Sequence, residues 1–135
     1  MSEFKIFYKG ELRTEIEHID SSNTIVTDAP KDNQGLGRTF SPTDLVASSL
    51  ASCMITIIAI AKRTHKLQID QMNAKATKIM SDSFPRKIST IKLNLNISGE
   101  LDKKSKTIIE RSAHTCPVHN SLHPDIDIQL TFTYS

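Results

Sequence analysis

Residues Ser41 to Thr64 constrain the fold more than any other stretch of this chain. Ser41 is of the type that caps a helix, Pro42 suits the first helical position, and Asp44 falls three residues after the cap, where a carboxylate favours the helix N-terminus. A helix from about Pro42 to about Thr64 follows, roughly 34 Å long at 1.5 Å per residue. Its middle is apolar nearly all the way round, so it should run through a core rather than lie on one. Ala47, Ser48, Ser49, Ala51, Ser52 and Cys53 are small and let other elements approach its backbone closely, and Lys62, Arg63 and Lys66 close its C-terminal end favourably. The apolar run from Leu45 to Ala61 is interrupted by three serines and falls short of the roughly 20 apolar residues that span a bilayer, so it reads as a buried helix without a membrane partner.

Strands are expected on either side of this helix. Phe4 to Tyr8, Leu12 to Ile19 and Thr24 to Thr27 form a first set, with turns at Lys9-Gly10 and at Asp20-Ser21-Ser22-Asn23. In the second of these, Leu12, Thr14, Ile16 and His18 share one face and Arg13, Glu15 and Glu17 the other. Ala29 to Thr39 has a loop composition. After the helix, Gln68 to Met80 and Lys87 to Ser98 read as a strand pair, Asp102 to His114 as a short surface helix, Cys116-Pro117-Val118 as the start of another helical turn, and Asp127 to Tyr134 as a last strand. At 135 residues, this is the content of a single α+β domain over 1–135.

Charge and targeting signals narrow the function classes. With 17 Lys+Arg against 15 Asp+Glu scattered along the chain, no basic stripe marks a nucleic-acid partner. Met1 to Gly10 mixes charged and apolar residues without a signal core, which implies a cytoplasmic protein. In that reducing compartment, a disulfide between the two cysteines would be transient and chemical.

The cysteines differ in setting. Pro117 makes Cys116 the cap residue of a short helix, whose N–H groups would face the sulfur and lower its pKa; a small buried cap residue is the plainer alternative. Cys53 lies well inside the apolar helix, where burial raises a thiol pKa, so it reads as inert unless a cation stands beside it. His114, His119 and His123 flank Cys116, but Cys116-x-x-His119 is only half of a zinc pattern and no second half follows. No phosphate loop, nucleophile elbow or paired-carboxylate motif is present.

The run Phe40-Ser41-Pro42-Thr43-Asp44-Leu45-Val46-Ala47-Ser48-Ser49-Leu50-Ala51-Ser52-Cys53 resembles the segment of the OsmC/Ohr family in which a Pro-initiated core helix carries a reactive cysteine. Cys116-Pro117-Val118 is similar to that family's second cysteine motif, and Gly10-Glu11-Leu12-Arg13-Thr14-Glu15 and Thr27-Asp28-Ala29-Pro30 to its amino-terminal sheet. The resemblance implies a curved antiparallel sheet around the long central helix, two chains intertwining as a homodimer, and a thiol peroxidase acting on organic hydroperoxides. It gives Cys53 the peroxidatic role, Cys116 the resolving role, and Arg13 the task of stabilising the thiolate and peroxide; Arg38, just before the helix, is a second candidate for the arginine. No bound cofactor is implied; an external dithiol of lipoyl type is the expected reductant. Phe40, Met54 and Ile57 are expected as the apolar walls that receive an organic substrate. The sequence departs from the peroxidase pattern at Thr43, where a glutamate commonly fixes the arginine; Asp44 faces away from Cys53 and reads as a helix cap, which leaves Glu15 as the candidate partner of Arg13. Two other readings fit the same residues: a non-catalytic dimer that binds an apolar ligand, and a thiol enzyme acting on a substrate other than peroxide.

Overall fold

A computed structural model describes all residues from Met1 to Ser135. The chain forms two compact units, Met1–Val46 and Ala47–Ser135. In the first, β1 (Phe4–Gly10), β2 (Arg13–His18) and β3 (Thr24–Asp28) make an antiparallel meander in the order β1-β2-β3. Register pairs Ile6 with Ile16 and Ile16 with Ile25, so one face of this sheet carries an isoleucine row flanked by Phe4, opposite His18, and Tyr8, opposite Thr14. That face is largely uncovered: Phe4, Ile6, Tyr8 and Ile25 are all exposed. A short 3-10 turn at Lys31–Asn33 follows β3, and helix α1 (Pro42–His65) begins at the end of the unit.

The first hairpin turns later than the spacing of apolar residues suggests. β1 runs on to Gly10 through a bulge, and the turn falls on Glu11 and Leu12, both in left-handed backbone with φ of 54° and 61°. Leu12 is therefore a turn residue and not the first residue of β2; its N–H donates to the Tyr8 hydroxyl at 3.3 Å. Alternation along 13–18 is as read from the sequence, because the shift ends at Arg13, which pairs with Gly10.

The second unit holds the rest of α1, then β4 (Gln68–Met80), β5 (Ile88–Glu100), α2 (Lys103–Ala113), α3 (Pro117–Ser121) and β6 (Asp127–Tyr134). β4 and β5 are antiparallel over most of their length. β6 pairs with β5 in parallel, where an antiparallel strand was expected, because the chain crosses over through α2 and α3 before returning. Period-two alternation in β5 buries Ile91, Leu93, Leu95 and Ile97 and leaves Lys92, Asn94 and Asn96 on the other face. With Leu50, Met54 and Ile58 of α1 and Ile109 of α2, these are the large fully buried apolar side chains of the unit. Each contributes roughly 1.5–3 kcal/mol by leaving water.

Helix α1 buries one stripe, Ala47, Leu50, Ala51, Met54, Ile58 and Ala61, at the helical spacing of three and four residues. Its opposite stripe, Ser49, Ser52, Thr56, Ile60 and Arg63, is exposed, Ile60 to 54%. The all-round apolar middle thus belongs to a helix covered on one side within the single chain. Over its 24 residues α1 is also long and apolar enough to cross a membrane, which the shorter run counted in sequence is not; in this fold it is instead the helix that supplies the buried stripe.

Candidate active site

Cys53 lies in α1 between the two stripes. Leu50, Ala51 and Met54 beside it are buried, Ser52 is exposed, and the Cys53 side chain is itself half-buried. Cys116 comes from the crossover. After α2, backbone bonds from Thr115 N–H and Cys116 N–H to the carbonyls of Ser112 and Ala113, at 2.9 and 3.3 Å, turn the chain. Pro117 then starts α3 with φ already suited to a helix, leaving Cys116 as the cap. The cap geometry anticipated from Cys116-Pro117 is present: His119 N–H donates to the Cys116 sulfur at 3.4 Å.

Its electrostatic consequence is the reverse of the one anticipated. Cys116 is 0% exposed, and its pKa is pushed up from the ordinary thiol value, first by burial and then by the neighbouring Cys53 side chain. The cap bond from His119 opposes the rise and is outweighed, since a helix of five residues brings only a weak field to set against full desolvation. At neutral pH Cys116 is a thiol. The Cys53 side chain is near enough to contribute to that rise, and both cysteines are free. Two neighbouring free thiols on different elements of the fold are the groups a reversible disulfide needs.

In the first unit, the residues singled out from sequence occupy definite places. Arg13 opens β2 and is half-buried, with its Nε buried and without a hydrogen-bond partner. Glu15 lies two residues on along the same face, and no ion pair joins the two. Arg38 is engaged elsewhere: its Nε and its backbone N–H both reach Asp28 Oδ2, at 2.8 and 2.9 Å. Asp28 is the residue that sequence reasoning passed over. It ends β3, is 0% exposed, and sits opposite Arg13 in the strand register. The Arg38 side chain holds the Asp28 carboxyl below the usual carboxylate range, and the positive field of Arg13 adds to the effect. The signal that would have found it is the turn at Asp20-Ser21-Ser22-Asn23, which fixes β2 against β3 and so puts Asp28 across from Arg13.

Asp44 caps the helix, as its position implied. Ser41 Oγ accepts from Asp44 N–H at 3.1 Å while Asp44 Oδ2 accepts from Ser41 N–H at 2.9 Å, a reciprocal capping box. Thr43, in place of the glutamate, joins the same cluster through a 3.2 Å contact between its hydroxyl and that of Ser41. Phe40 is exposed, Ile57 half-buried, and Met54 fully buried in the α1 stripe. His114 and His119 meet edge to face at 6.1 Å, His123 pairs locally with Asp125, and no three His, Cys, Asp or Glu side chains gather around a common point. A depression of about 220 Å³ on the polar face of the second sheet, lined by Lys75, Thr77, Lys92, Asn94, Gln129 and Thr131 among others, includes neither cysteine.

The sequence model of the OsmC-like protein family matches residues 31–131. A search of curated proteins finds no match. Among solved structures, a protein of Psychrobacter arcticus 273-4 described as an osmotic stress induced and detoxification response protein is 46% identical over 98% of this chain and 96% of its own, with a TM-score of 0.90. An organic hydroperoxide resistance protein OsmC from Legionella pneumophila shares the fold at 17% identity and a TM-score of 0.81, covering 98% of this chain and 96% of that one. An organic hydroperoxide resistance protein from Elizabethkingia anophelis does so at 16% and 0.79, covering 100% and 98%. A match across most of the sequence and a 46% identical relative over nearly its whole length leave one conclusion: the chain is a member of the OsmC-like protein family and has its α+β fold.

Proposed function

We propose that this protein is a two-cysteine peroxidase that reduces organic hydroperoxides. The observation that carries the reading is that the Cys53 side chain neighbours the buried Cys116 thiol and raises its pKa, in a family whose structural neighbours include organic hydroperoxide resistance proteins. The Cys53 thiolate attacks the distal peroxide oxygen; an S–O bond forms, the O–O bond breaks, and the alkoxide leaves as the alcohol after taking a proton. Cys53 is then a sulfenic acid. The Cys116 thiol condenses with it, forming the S–S bond and releasing water, and an external dithiol of lipoyl type returns both sulfurs to thiols while being oxidised to its own disulfide.

Arg13 is assigned the task of stabilising the thiolate and the peroxide, and Phe40, Met54 and Ile57 the apolar surroundings of the organic group. No resident cofactor takes part. The working form is a cytoplasmic homodimer of one domain per chain. Support for the dimer comes from apolar surface that one chain leaves in water: the Phe4, Ile6, Tyr8 and Ile25 face of the first sheet and Ile60 on the open stripe of α1.

The test is chemical. Reduced protein treated with cumene hydroperoxide and examined by non-reducing peptide mass spectrometry should lose both thiols together and yield an intramolecular Cys53 to Cys116 disulfide with matching consumption of peroxide. Thiols that stay free while peroxide persists would remove the enzymatic reading.

A further inference from the structure

Two buried polar atoms in the first unit lack partners, and they belong to residues that face each other across paired strands. Asp28 Oδ2 takes both hydrogen bonds from Arg38, while Asp28 Oδ1 is buried and unbonded. Arg13 is the direct register partner of Asp28, and its Nε is likewise buried and unbonded. A carboxylate oxygen cut off from water is costly unless a donor faces it, and a guanidinium nitrogen has the same need for an acceptor. The charges are complementary. Arg38 does not fill the second place: its Nε and its backbone N–H both go to Oδ2, and Oδ1 is left without a partner.

We propose that Asp28 is the positioning residue of Arg13: Arg38 clamps the carboxylate through Oδ2, and the second oxygen fixes the guanidinium that the peroxidase reaction uses. The inference rests on the proposed function, in which Arg13 assists Cys53. It assigns to Asp28 the part that the sequence offers to Glu15, and it accounts for how an arginine is held in a chain with Thr43 where a glutamate is common. Asp28 is well suited to it. The residue is anchored by its own backbone, since Asp28 N–H donates to the Phe40 carbonyl at 3.0 Å, and it has no exposed surface on which to trade Arg13 for water. A carboxylate fixed at one oxygen restricts the guanidinium at the other to few orientations, which is what a group acting on a developing charge requires.

The experiment is a double-mutant cycle on the full chain, read by the second-order rate with cumene hydroperoxide and by the pH profile of Cys53 alkylation in a Cys116→Ser background. Arg13→Gln should lower the rate and move the alkylation profile to higher pH. Asp28→Asn should reproduce that loss, about tenfold or more, and add almost nothing to Arg13→Gln in the double variant. A purely structural role for Asp28 would leave the alkylation profile in place. The inference is overturned if Asp28→Asn keeps the native rate and profile, or if its loss multiplies in full with that of Arg13→Gln. Arg13→Gln without effect would instead remove Arg13 from the reaction, and this inference with it. Should Asp28→Asn fail to fold, Arg13→Lys decides, since it keeps the charge and has no Nε: a loss of about tenfold supports the proposal, and a native rate overturns it.

Discussion

The Cys116 sulfur accepts a hydrogen bond from His119 N–H at 3.4 Å and feels the Cys53 side chain closely enough for its pKa to rise, so a single buried atom both caps helix α3 and neighbours the helix α1 cysteine. Serine can take over the first of these tasks but not a redox step. Cys116→Ser should therefore fold with a stability change of about 1 kcal/mol or less, and after peroxide it should accumulate a Cys53 sulfenic acid that dimedone traps. Rapid loss of peroxide with no trapped adduct on Cys53 would count against the order of the two cysteines.

The raised Cys116 pKa gives stability a sign on the alkaline side. A group whose folded pKa exceeds its unfolded value of about 8.5 binds its proton more tightly when folded. Its contribution is complete below that unfolded value and is lost as pH climbs through the folded one. Melting temperature measured from pH 7 to pH 10 should fall more steeply for the native protein than for Cys116→Ser. Parallel curves would show that the thiol titrates alike in both states.

Helix α1 starts on a reciprocal pair, Ser41 Oγ with Asp44 N–H and Asp44 Oδ2 with Ser41 N–H. Asp44→Ala removes one half of the box and the negative charge in the first turn, and should cost about 1 kcal/mol in urea unfolding. Ser41→Ala should cost at least as much, because Ser41 is 1% exposed and leaves its partner's N–H without a replacement from solvent.

Gly99 sits near the end of β5 with φ +147°, and a Cβ there would stand 2.0 Å from the Gln68 carbonyl oxygen of β4. Gly99→Ala must therefore shift one strand against the other and should cost on the order of 2 kcal/mol or more, with the loss visible in thermal unfolding. Gly10→Ala is the useful contrast. Its φ is also positive, at +84°, but nothing lies within 4 Å, so only the backbone term of about 1 kcal/mol applies.

Most of this architecture is legible in the order of residues because the signals are local. Alternation along Ile91, Leu93, Leu95 and Ile97 and the Ser41-Pro42 start of α1 need no knowledge of distant parts. What escaped depends on pairing. The Glu11-Leu12 turn uses left-handed backbone without the asparagine or glycine that normally announces it, so Leu12 looked like strand. The direction of β6 is set by the crossover and leaves no trace in its own alternation. Among the candidate site residues, the cysteines stood out by type, and the cap role of Cys116 followed from Pro117. Its acidity did not, because desolvation by neighbours outweighs a local cap. Asp28 escaped because an aspartate before Ala29-Pro30 reads as a turn residue, and only the β2 to β3 register reveals what it faces.

Because β6 joins β5 in parallel, that last pairing closes a long loop, whereas β4 and β5 need only a hairpin. Cys116 rides inside that loop, and Cys53 lies far upstream of it. During synthesis the helix bearing Cys53 leaves the ribosome well before the C-terminal strand can dock, so the nascent chain carries a lone thiol. In the proposed reaction the second sulfur lies within the loop that the β5 to β6 pairing closes, which ties the disulfide to a long-range contact of the completed chain.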